Sequence, residues 1–72
     1  MFSELWDVRS GNIINTYDTE TEALDVVRYL VALNGLEYAG ALSLSFEDDA
    51  ENTTLVAKGT ALAQRAQIRG AI

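Results

Sequence analysis

The chain has 72 residues, 49% of them hydrophobic and 22% charged, which is the composition of a folded chain rather than a disordered one. That length holds one small domain over residues 1–72 and excludes a two-domain enzyme, a propeller or a closed barrel. Cys, His and Pro are absent, so no disulfide, thiolate nucleophile, imidazole base or ordinary zinc site can be assembled, and eleven acids against five bases leave a net charge of −6.

The first two elements read as a β-hairpin. The runs Glu4–Val8 and Ile13–Tyr17 are rich in β formers and flank Arg9-Ser10-Gly11-Asn12, where Gly11 supplies the positive φ of a tight turn. With Ser10 and Gly11 as the two loop residues, Val8 pairs with Ile13 and Trp6 with Asn15. Phe2, Trp6, Val8, Ile13 and Tyr17 then form the core face, while Leu5, Asp7, Arg9, Ile14 and Thr16 form the outer one.

A helix is expected from Glu20 to Asn34. Thr19 and Glu22 have the spacing of a capping box, and Asp18, Glu20 and Glu22 put negative charge where the helix dipole favours it. Ala23, Leu24, Val26, Val27, Leu30, Val31 and Leu33 share one half of the helical wheel; Glu22, Asp25, Arg28, Tyr29 and Ala32 share the other. Gly35 stands where a helix ends in the left-handed conformation.

Leu42, Leu44 and Phe46 alternate with Ser43, Ser45 and Glu47, the period of a half-buried strand. The acidic segment Glu47-Asp48-Asp49-Ala50-Glu51-Asn52 reads as a loop, and Thr53–Lys58 returns as a second strand with Leu55 and Ala57 inward and Thr54, Val56 and Lys58 outward. After Gly59, Thr60 can cap a short helix over Ala61–Arg69 that Gly70 ends. Leu62 and Ile68 lie far apart on its wheel, so the helix is expected to dock weakly or to need a partner. The order is an α+β arrangement, ββαββ(α): a four-stranded, mainly antiparallel sheet with the long helix on one face, burying Trp6, Ile13, Leu30, Leu42 and Phe46.

Three resemblances attach to these segments. Leu5-Trp6-Asp7-Val8-Arg9-Ser10-Gly11-Asn12-Ile13-Ile14 resembles the last hairpin of a WD-repeat blade; a propeller needs several blades, so the likeness is to a hairpin alone. The longer pattern resembles a group of short uncharacterised bacterial proteins. It comprises the Leu-Trp-Asp hairpin, the Thr19-Glu20-Thr21-Glu22-Ala23-Leu24 helix opening and the strand running into Glu47-Asp48-Asp49. That likeness implies the fold and no activity. The strand followed by Thr-x-x-Glu-Ala-Leu is also similar to HicB-type antitoxins, from which this chain departs by lacking their Pro-Gly turn.

Charge is distributed unevenly: all eleven acids and two bases precede Asn52, and three bases with no acid follow. The acidic cluster Glu47, Asp48, Asp49 and Glu51 offers hard oxygen donors but lacks the ligand spacing and Gly of an EF-hand, so it reads as a solvated hairpin loop, with no metal or cofactor expected. Lys58 beside Ser43 or Ser45 is the only Ser/Lys pairing that the register offers, on a face too exposed to activate a lysine. No catalytic residues are expected. The net charge disfavours direct contact with nucleic acid or an anionic membrane. No run is long and apolar enough for a membrane span, and Met1-Phe2-Ser3-Glu4 lacks a signal peptide's basic start, so the expected compartment is the cytoplasm.

What remains is an interaction or regulatory module with a protein partner, most simply a second copy in a homodimer. The candidate interface residues are Leu5, Ile14 and Val56 on the outer sheet face, Tyr29 and Tyr38 as aromatic anchors, and Leu62 and Ile68 on the last helix. The alternative is an acidic antagonist, antitoxin-like or mimicking nucleic acid, that occupies a basic protein; a small cation-binding protein or enzyme is third.

Overall fold

The computed structural model describes the backbone of residues 1–70 and the side-chain surroundings of residues 1–67. Strands β1 (Phe2–Asp7) and β2 (Asn12–Tyr17) precede helix α1 (Glu20–Asn34); a 3-10 segment (Leu36–Ala41) leads to β3 (Leu42–Glu47), β4 (Thr53–Lys58) and helix α2 (Gly59–Gly70). The strands form one antiparallel sheet in the order β2-β1-β3-β4. β2 and β3 therefore run the same way with β1 between them, and α1 is the crossover of a split β-α-β unit.

Local signals set most of these limits. The Thr19 hydroxyl accepts from the Glu22 amide at 3.2 Å, capping α1, and Gly35 ends it at φ 92°, ψ 161°, its N–H donating to the Val31 carbonyl at 2.8 Å. That ψ is extended, so Gly35 uses glycine's freedom at positive φ without entering the left-handed helical region expected for it. α2 starts at Gly59, which places Thr60 inside the helix rather than at its cap.

The first hairpin turns differently from the expectation. Asp7 pairs with Asn12 and Trp6 with Ile13, so the connection is the four residues Val8–Gly11. Asp7 organises it: its Oδ1 accepts from the Arg9 amide at 2.9 Å, and its carbonyl accepts from the Gly11 amide at 2.9 Å. The register then slips between Leu5 and Trp6, leaving Ile14 as an extra, bulged residue.

This register reverses the expected faces of β1. Ser3 and Leu5 stand opposite Phe46 and Leu44 and point inward, both fully buried; Phe2, Trp6 and Ile13 stand on the outer face. Tyr17, beyond the bulge, packs against the core as expected. The physical reason is volume. Ser3, Ala23, Val27, Ala39, Ala63 and Ala66 are small and buried, so the helices sit close to the sheet and leave no space for an indole.

A second bulge, at Val56, reverses part of β4. Ala57 faces Leu44 inside, Val56 packs against the core, and Leu55 moves to the outer face, where it is 52% exposed. Leu33, placed on the apolar half of α1, lies in its last turn and is 67% exposed.

Both helices pack on the same sheet face. α2 lies against α1, the 3-10 segment, β3 and β4. Leu62, Ala63 and Ala66 are buried there, so α2 is part of the core rather than weakly docked. Two alanines let it approach α1 closely, and full burial of a leucine side chain is worth roughly 1.5–3 kcal/mol. No helix among the described residues is long and apolar enough to cross a membrane.

Candidate interaction surface

The outer face of the sheet, opposite both helices, is covered by no other element among the described residues. The strand register lays it out in rows. Ile13, Trp6, Ser43 and Lys58 form one row across β2, β1, β3 and β4, followed by Thr16, Glu4, Ser45 and Leu55, and then by Phe2, Glu47 and Thr53. Trp6 and Phe2 are half-buried among their neighbours, while Ile13 is 42% exposed. The surface is thus a patch of two aromatic and two aliphatic side chains with small serines beside it and Glu4, Glu47 and Lys58 as its charges.

The edges of the sheet are blunted where the face is open. Each edge strand carries one bulge, at Ile14 in β2 and at Val56 in β4, which breaks the regular ladder another strand would join. On β2 the Thr16 amide donates to Asn15 Oδ1 at 2.8 Å, so that group is already partnered.

Few of the expected interface residues reach this face. Leu5 and Leu62 are fully buried and Val56 packs against the core, which withdraws all three from any surface contact. Ile14 is exposed on the edge strand next to Ile13. Tyr38 packs against the core with the Arg9 guanidinium 5.8 Å from its ring centroid. Tyr29 lies on the far side of the molecule, where α1 also exposes Leu33, beside a shallow depression of about 390 Å³ lined by Asp25, Arg28, Tyr29 and Ala32. Ile68 lies outside the residues whose side chains are described. Trp6, Phe2, Ile13 and Leu55 replace these positions; the alternation of Ser3 and Leu5, in phase with the buried Leu42 and Leu44, is the signal that points to them.

The acidic loop is locally organised. Asp48 Oδ1 accepts from the Asn52 amide at 3.0 Å and the Ala50 amide at 2.9 Å, and the bond from Asn52 above all holds this carboxyl below the usual carboxylate range. The N-terminal ammonium of Met1 meets Asp49 at 3.1 Å. Glu51 sits at φ +64°, a strained position for a side chain with a Cβ. Among the described residues no three acidic side chains gather closely enough to hold a metal ion. Ser43 and Lys58 are cross-strand neighbours, and Lys58 is exposed.

The pairings also sort charge by end. The close of β2, the start of α1 and the β3–β4 loop share one end of the sheet, which collects Asp18, Glu20, Glu22, Glu47, Asp48, Asp49 and Glu51. Arg65 lies at that end too, paired with Glu20, while the opposite end carries Arg9 and Lys58 with Asp7 and Glu37.

Comparison with known proteins finds no family model that matches the chain, and no curated protein or solved structure that matches it.

Proposed function

We propose that this chain is a non-catalytic interaction module that associates with a second copy of itself through the outer face of its sheet. The observation that carries this reading is Trp6 paired with Ile13 on a sheet face that neither helix covers. Aromatic residues on an uncovered patch are what a protein contact buries with most gain, and a chain of 72 residues has few other ways to enlarge its core. Trp6 is the only tryptophan, so its fluorescence reports on this face alone. Concentrating the protein from nanomolar to high micromolar should shift its emission to shorter wavelength; an emission maximum independent of concentration contradicts the reading.

A second reading, an acidic antagonist of a basic protein, is favoured by the gathering of carboxylates at one end. It expects stoichiometric inhibition of a basic nuclease that fades steeply as salt rises, because exposed carboxylates are screened. Inhibition insensitive to salt, or none at low salt, contradicts it.

A further inference from the structure

We infer that the second copy packs face to face with its strands reversed end for end, so that each Lys58 meets the partner's Glu47. The inference rests on the self-association proposed above and specifies its geometry. Two aligned sheets can be related by a two-fold axis parallel to the strands or by one across them. The parallel axis stacks the acidic end of one copy over the acidic end of the other, which a chain of charge −6 disfavours. The axis across the strands stacks each acidic end over the opposite end, where Arg9 and Lys58 balance Asp7 and Glu37 and the outer face itself carries Lys58.

The rows then match. With the centre of the face at the row of Glu4 and Ser45, Trp6 lies over the partner's Phe2, two positions away on the same face of β1. Leu55 lies near its own copy across the axis. Lys58, opposite Ser43, lies over the partner's Thr53, the cross-strand neighbour of Glu47, so its ammonium reaches the partner's Glu47 from the adjacent strand. Within one chain these two are four residues apart along β3, or about 13 Å, too far to pair. Among the described residues neither takes part in an ion pair. Glu4 falls near the axis and faces its own copy, the one unfavourable contact of the arrangement.

Sedimentation equilibrium on six variants tests this. Lys58→Glu and Glu47→Lys should each raise the dimer dissociation constant about tenfold, and the double variant, with unchanged net charge, should recover most of the loss. Glu4→Gln should tighten the dimer several-fold, whereas Glu22→Gln on α1, the same change in net charge, should have little effect. A double variant as weak as the singles, or equal effects of Glu4→Gln and Glu22→Gln, overturns the end-for-end geometry. If Trp6→Ser dissociates the dimer while the charge exchange does nothing, the outer-face reading stands and this geometry falls; a wild type that is monomeric throughout overturns both.

Discussion

Arg65 on α2 grips Glu20 in the first turn of α1: its Nη2 donates to the two carboxylate oxygens at 2.8 and 3.0 Å, and its Nε donates to one of them at 3.2 Å. The contact links residues 45 apart and fastens two antiparallel helices at the acidic end of the molecule. This part of the basic C-terminal segment closes on its own chain, and α2 spends its apolar side on the same core as α1. Among the described residues the outer sheet face is left bare as a result.

The Arg65 fork is partly exposed on both sides, so solvent screening limits its worth. A double-mutant cycle with Arg65→Met and Glu20→Gln, read by urea unfolding, should give a coupling of about 0.5 kcal/mol at low salt and less at high salt. A coupling of several kcal/mol would mean the pair is far better shielded than its exposure indicates.

Leu62→Ala should cost about 2–5 kcal/mol, because the side chain is fully buried between helices and sheet. A domain of this length has a total stability of only about 4–11 kcal/mol, so the variant should lose much of its cooperative transition. A loss below about 1 kcal/mol, measured by chemical denaturation, would show α2 to be a loosely attached appendage.

Ser3 is fully buried and its hydroxyl has no hydrogen-bond partner. Replacing it with alanine removes an unsatisfied group from the interior, and Ser3→Ala should be neutral or stabilise the fold by up to about 1 kcal/mol. Destabilisation by more than that in thermal unfolding would reveal a partner for the hydroxyl.

The β3–β4 loop should be sensitive to acid. The Asp48 carboxyl sits below the usual range because amide donors, Asn52 first, stabilise its charged form. Its contribution is therefore present above the ordinary carboxylate pKa and is lost as pH falls through the depressed value. Amide exchange at Ala50 and Asn52, corrected for intrinsic rates, should accelerate on acidification in the wild type but not in Asp48→Ala. Glu51→Gly should stabilise the same loop, by about 1 kcal/mol, through relief of the positive φ.

Much of the fold was legible in residue patterns, and the failures have identifiable causes. Thr19 and Gly35 bracketed α1 correctly because caps act locally, and Leu42, Leu44 and Phe46 marked β3 because a strand with one buried face has a clear period. The outer face was missed because its assignment depended on the first turn. Asp7 spends its carboxylate on a four-residue connection, and the bulge at Ile14 changes the phase within one strand; neither has a period to read. The alternation drawn from a two-residue loop places Trp6 in the core with Phe2 and Val8, whereas the close approach of α1 through Ala23 and Val27 decides for Ser3 and Leu5. α2 looked unpartnered because alanines carry little hydrophobic signal even where they are buried.

The central claim is that the face carrying Trp6 and Ile13 joins two copies of the chain. Sedimentation equilibrium of the wild type and of Trp6→Ser, at matched concentrations, tests it directly. The wild type should rise with concentration toward twice the 7.9 kDa of one chain, while Trp6→Ser, folded by circular dichroism, should remain at 7.9 kDa. A wild type that stays at 7.9 kDa into the high micromolar range, or a folded Trp6→Ser that dimerises equally well, contradicts the account.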